Sequence, residues 1–130
     1  MHFCSYVFNT SLLETFAALT HGGTVCIPLE EARINDLAGA IVSMGVNWTL
    51  LTQSIVRLIT PKLILGIKTV CLGGEPVRTD SVKTWAGTAE EHRLILAYRP
   101  TEATIGCSFH KVESVSDSPT ILDQVIRSII

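Results

Sequence analysis

Tyr98, Thr101 and Glu102 fall within five positions near the C-terminal end of the chain, in the run Ala97-Tyr98-Arg99-Pro100-Thr101-Glu102-Ala103-Thr104-Ile105. A tyrosine ring stacks on a flat ligand. A threonine hydroxyl donates to phosphate, and a carboxylate holds Mg²⁺ against phosphate oxygens. Two other segments carry residues of a similar kind, Thr52-Gln53-Ser54 and Gly73-Gly74-Glu75. Adjacent glycines let a flat ring lie against bare backbone. The residue types alone leave a second reading open, with Gly73-Gly74 as a turn and Thr101-Glu102 as a solvated strand start, because short motifs recur by chance.

The elements between these segments decide whether they can meet. Ser11-Leu12-Leu13-Glu14 has the form of a capping box, and Leu12, Leu13, Phe16, Ala17 and Leu19 follow at helical spacing up to Gly22-Gly23. Thr24 to Ile27 reads as a short strand stopped by Pro28, and Ile34, Leu37, Ala38, Ile41 and Met44 form a helical stripe closed by Gly45. Trp48 to Leu51 is a strand, Ser54 to Ile59 a short helix, and Lys68 to Leu72 a strand that runs onto Gly73-Gly74. Thr79-Asp80 caps a helix that passes Val82 and Trp85 and ends at Gly87. Leu94 to Leu96 is a strand entering the Tyr98 segment, Ile105 to Val112 another, and Glu113 to Thr120 a loop. Strands alternating with helices predict an α/β fold with a mostly parallel sheet of βαβ units. Ligands of such sheets sit beyond the carboxyl ends of the strands, where all three polar segments fall.

Composition narrows the function. A chain of 130 residues is one domain at most. A net charge of −2 with interspersed signs supplies no basic stripe, which argues against nucleic acid. No apolar run reaches the roughly 18 residues of a membrane span, and Met1 to Ser5 has no signal-peptide character, so a cytoplasmic protein is expected. The four cysteines form no CxxC pair and have no histidines at metal spacing; they read as buried thiols in a reducing compartment. A hydrophobic content of 47 % and mean hydropathy of +0.39 are high for a small domain. Buried parallel strands, and surfaces that another part of a larger protein covers, account for the excess.

From Phe8 to about Ile105 the chain resembles the middle of an adenylation domain of the AMP-forming acyl-adenylate ligase superfamily, of the fungal nonribosomal peptide synthetase type. The matching residues are Phe8-Asn9-Thr10-Ser11, His21-Gly22-Gly23-Thr24, Asp36-Leu37-Ala38, Leu72-Gly73-Gly74-Glu75 and Tyr98-x-Pro100-Thr101-Glu102, in the family's order. The resemblance implies activation of a small carboxylic acid, which attacks the α-phosphate of Mg·ATP to give acyl-AMP and pyrophosphate. The acyl group then passes to the phosphopantetheine thiol of a carrier domain. It further implies Tyr98 stacked on adenine, Gly73, Gly74 and Glu75 on the other side of the ring, Thr101 at the α-phosphate and Glu102 on Mg²⁺. The acyl pocket it implies is lined by Asn9, Thr10, Leu13, Leu50, Cys71, Gly73, Ala97 and Ile105, an apolar and uncharged set.

Several positions depart from the family pattern. The aspartate that pairs with a substrate α-ammonium is Asn9, and a buried ammonium without its charge partner typically costs about 3 kcal/mol or more. Asn9 also reads as a turn residue ahead of Ser11. The adenine-contacting asparagine is Leu96, and the glycine after the tyrosine is Arg99. If that turn needs a positive φ, arginine costs on the order of 1 kcal/mol and crowds the nucleotide; its charge could instead meet phosphate. No Ser/Thr/Gly-rich phosphate loop precedes Phe8, and neither the ribose-binding aspartate nor the lid lysine follows Ile105. The expectation is therefore a partial AMP-binding domain over residues 1–112 with a divergent tail over 113–130, inactive alone. The alternative is a non-catalytic binding module derived from such a domain. An esterase built on His21-Gly22-Gly23 is excluded by the lack of any Gly-x-Ser-x-Gly elbow.

Overall fold

A computed structural model describes residues 1–86, 92–100, 102 and 105–119. The N-terminal part is helical: α1 (Thr10–Leu12) runs through a π-helical turn (Leu13–Ala17) into α2 (Ala18–Thr20), followed by α3 (Glu30–Asn35) and α4 (Leu37–Ser43). Strand β1 (Trp48–Leu51) then leads through α5 (Gln53–Val56) and a 3₁₀ turn (Pro61–Leu63) to β2 (Thr69–Gly73). Helix α6 (Thr79–Ala86) connects β2 to β3 (Arg93–Tyr98), and β4 (Ser108–Lys111) completes the sheet. Strand order is β1-β2-β3-β4, with the first three parallel and β4 antiparallel to β3. The expected α/β architecture with a mostly parallel sheet is what forms.

The three parallel strands are short runs of apolar residues because both of their faces are covered. Leu51, Val70, Leu72, Leu94 and Leu96 point to one side and pack with Leu37 and Ile41 of α4 and Val82 and Trp85 of α6. Trp85 is 1 % exposed and meets the His92 ring edge-on at 5.5 Å. Leu50, Cys71 and Ala97 are buried on the opposite face. The register pairs Leu50 with Cys71 and Gly73 with Ala97, so these four residues share that face. A slip of one residue would send them into the helical core and is therefore strongly disfavoured.

Local patterns fail in the N-terminal third. The Ser11–Glu14 capping box does not form: the Ser11 hydroxyl donates to the Phe8 carbonyl at 2.8 Å, and the Glu14 carboxylate accepts from the N–H groups of Phe3 and Cys4. The helix is also turned inside out relative to its apolar stripe. Thr10, Ser11 and Glu14 are buried, whereas Leu12, Phe16 and Leu19 are exposed. Thr24 to Ile27 forms no strand, although the Cys26 carbonyl accepts from the His2 N–H at 2.8 Å. The stripe from Ile34 to Met44 is broken at Asp36, whose carboxylate accepts from the Gly39 N–H at 3.0 Å and starts α4 as a new helix. All four cysteines are free, but only Cys71 is buried. Gly87, expected to end α6, lies outside the described residues.

Candidate functional site

Because β1, β2 and β3 run the same way, their carboxyl ends line one edge of the sheet. The first two polar segments are tied together there. Glu75 accepts from both the N–H and the hydroxyl of Ser54 at 2.7 Å, and the Ser54 hydroxyl bond leads the causes that hold its carboxyl below the usual range. Gln53 turns away from the edge. Its amide nitrogen donates to the Ser81 hydroxyl at 2.7 Å and its carbonyl accepts from the Arg78 N–H at 3.0 Å, clamping β1 to the start of α6. Ser54 and Gln53 therefore hold the scaffold rather than line a pocket.

Gly74 has φ +86°, a left-handed conformation that favours glycine and aims the loop backbone across the edge. Tyr98, at the end of β3, keeps its ring half exposed at 50 % and free to stack. The Tyr98 carbonyl accepts from the Cys107 N–H at 3.1 Å, which brings the turn carrying Ile105 back against the strand end. Ile105 sits half-buried with φ +66°, a strained position for a β-branched residue. Glu102 is exposed, and Thr101 lies outside the described residues. Among the described residues no three His, Cys, Asp or Glu side chains gather to hold a metal.

Apart from Ile105, the residues expected to line an acyl pocket come from the sheet and from the N-terminal helical segment. Leu50, Cys71, Gly73 and Ala97 form the sheet wall, and burial pushes the Cys71 thiol up to about 12, so it stays a neutral, inert wall group. Thr10 is 1 % exposed, while Asn9 and Leu13, one helical turn apart, are half-buried. Asn9 occupies the residue before α1 without a side-chain capping bond.

Arg99 joins the two. Its Nη1 donates to the Thr10 hydroxyl, and its guanidinium lies over the two glycines. A Cβ on Gly73 would come within 2.8 Å of Arg99 Nε and 2.7 Å of the Ala97 carbonyl; one on Gly74 would come within 2.8 Å of Nη2. The bare faces of both glycines are thus covered by this chain's own arginine. A flat ring fits there only after the side chain moves. Among the described non-glycine residues only Ile105 has a positive φ, so Arg99 crowds the cleft through its side chain and carries no left-handed strain. Leu96, on the other face, belongs to the core.

Two features escaped the sequence reading. Glu14 is 2 % exposed, and burial raises its carboxyl to about 7 against the pull of two backbone N–H bonds. A cavity of ≈600 Å³ opens beside it, between Ala17, His21, Met44 and Trp48. Neither has a local signature: a glutamate three residues after a serine is equally the mark of a cap.

The family model described as AMP-binding enzyme matches residues 1–126. The chain belongs to the AMP-binding enzyme family. Curated proteins similar to it include fungal nonribosomal peptide synthetases. Nonribosomal peptide synthetase 8 of Aspergillus fumigatus is 44 % identical over 128 residues, 97 % of this chain and 1 % of that protein. The synthetase notE of an Aspergillus species is 47 % identical over 105 residues, 81 % of this chain and 5 % of that protein. Among solved structures, the Vibrio cholerae adenylation domain AlmE in complex with glycyl-adenosine-5'-phosphate superposes with a TM-score of 0.78 at 20 % identity, covering 90 % of this chain and 23 % of that one. PA1221, which contains adenylation and PCP domains, superposes at 0.73 with 23 % identity, covering 88 % and 24 %. These structural matches establish the adenylation-domain fold. The chain spans 1–5 % of the length of these synthetases and about a quarter of these solved chains. Among the described residues, no helix is long and apolar enough to cross a membrane.

Proposed function

We propose that the chain is the central portion of an adenylation site that activates a small carboxylic acid with Mg·ATP as acyl-AMP, for transfer to the phosphopantetheine thiol of a carrier domain. The observation that carries this reading is the juxtaposition of the Gly73-Gly74-Glu75 loop with Tyr98 at the ends of paired parallel strands, in a chain of the AMP-binding family. In this reading Tyr98 and Gly73 to Glu75 enclose adenine, Thr101 contacts the α-phosphate and Glu102 holds Mg²⁺. Asn9, Thr10, Leu13, Leu50, Cys71, Gly73, Ala97 and Ile105 surround the acyl chain. The residues at work all fall within 1–112, and 113–130 is a divergent tail. The setting is cytoplasmic.

The 130 residues alone do not adenylate. Phosphoryl transfer needs several groups acting together on the reacting phosphate, and partial sets lose activity far from additively. An apolar face bearing Leu12, Phe16 and Leu19 also supports the second reading, an interaction module that docks on another part of a synthetase. The test is ATP–pyrophosphate exchange, by the isolated chain and by a complete fungal adenylation domain into which residues 1–112 are transplanted. The expected result is no exchange by the isolated chain and acid-dependent exchange by the transplant, abolished by Glu102→Ala. A folded transplant that exchanges with no acid would refute the adenylation reading, and Glu102-dependent exchange by the isolated chain would refute its inactivity.

A further inference from the structure

The acyl wall of this cleft is uncharged, yet a guanidinium stands in it. Arg99 crosses from the glycine face to Thr10, and its Nε is buried with no hydrogen-bond partner among the described residues. No carboxylate among them forms an ion pair with it. Glu14, whose carboxyl feels its charge, spends Oε2 on the N–H groups of Phe3 and Cys4 instead. The guanidinium lies against Gly73, on the face that this residue shares with Leu50, Cys71 and Ala97. A half-buried cation with an unmet donor stabilises an incoming anion and repels an incoming ammonium.

Resting on the adenylation reading, we infer that Arg99 makes this an anion-accepting pocket, whose acid carries a second carboxylate that pairs with the guanidinium, and that Asn9 and Thr10 complete the polar end. Two parallel bonds from Nε and one Nη are the arrangement that bridges a carboxylate; here Nε and Nη2 face Gly73 and Gly74, so the incoming carboxylate lifts that edge off the glycines. Asn9 adds a neutral amide where an acidic residue would compete for the same cation. An α-amino acid meets no counter-charge here and faces a positive one.

The test is arginine-specific labelling of the full 130-residue chain with phenylglyoxal, read at Arg99 by peptide mass spectrometry, with the exposed Arg57 and Arg78 as internal controls. Succinate, butyrate and 4-aminobutyrate present a carboxylate, a methyl and an ammonium at the far end of similar chains. Succinate should protect Arg99 at concentrations about tenfold or more below butyrate, the scale of a hydrogen bond to a charged group. 4-Aminobutyrate should protect least, and Arg57 and Arg78 should not respond. Thr10→Val, which keeps the shape and removes the hydroxyl that steadies the guanidinium, should weaken succinate protection several-fold. Equal protection by succinate and butyrate, or protection by none of the acids, overturns the inference. Protection by AMP without a preference for succinate assigns Arg99 to the nucleotide phosphate and overturns it too. Glu102-dependent exchange by the transplanted domain tests the parent reading separately, so each can fail without the other.

Discussion

Glu14 gives the clearest handle on how this fold is held, because a carboxyl that is 2 % exposed must titrate differently once folded. Burial raises it from 4.5 to about 7, opposed by the N–H groups of Cys4 and Phe3, then by the Met1 ammonium and Arg99. Between those two values the folded chain holds a proton that the unfolded chain has released. Stability from this group is therefore complete below about pH 4.5 and is lost as the pH rises through about 7. At about 1.4 kcal/mol per tenfold change in proton affinity, the loss amounts to about 3 kcal/mol. Glu14→Gln removes the titration while keeping an acceptor for the two N–H groups. Urea unfolding at low micromolar concentration, at pH 5 and pH 8, should show the wild-type chain weakening by up to that amount and the variant changing much less. If the wild-type and Glu14→Gln chains change equally between the two pH values, Glu14 is not the group responsible and the burial argument fails.

The exposed apolar face of the N-terminal helices should make the isolated chain bind a hydrophobic dye strongly and self-associate, and Leu12→Ser with Phe16→Ser should reduce both; a monodisperse wild-type monomer with a sharp melt and no dye signal would count against this. In the transplanted adenylation domain, Asn9→Asp should shift preference toward α-amino acids, more so combined with Arg99→Gly, as measured by exchange rates across amino, hydroxy and aryl acids. Equal use of amino acids with Asn9 and with aspartate would remove Asn9 from ammonium recognition.

The sheet was readable from sequence because its information is local. Trp48–Leu51, Thr69–Gly73 and Arg93–Tyr98 are compact apolar runs ending in glycine or polar residues, and strands covered on both faces leave that pattern whatever surrounds them. The placement of Gly73-Gly74 and Tyr98 at strand ends followed, and with it the position of the candidate site. The N-terminal helix was misread for the opposite reason. Its spacing predicts that Leu12, Phe16 and Leu19 are buried, but periodicity says only that two faces differ, and tertiary contacts choose which one turns inward. Here the buried side takes Thr10, Ser11 and Glu14, because Thr10 meets Arg99 and Glu14 meets the Phe3–Cys4 backbone. Gln53 looked like a ligand group until its partners, 25 and 28 residues away, occupied both ends of its amide. Arg99 was visible as a departure from a glycine, but its direction was not: a long side chain has many rotamers, and only the bare faces of Gly73 and Gly74 and the hydroxyl of Thr10 select the one that crosses the cleft.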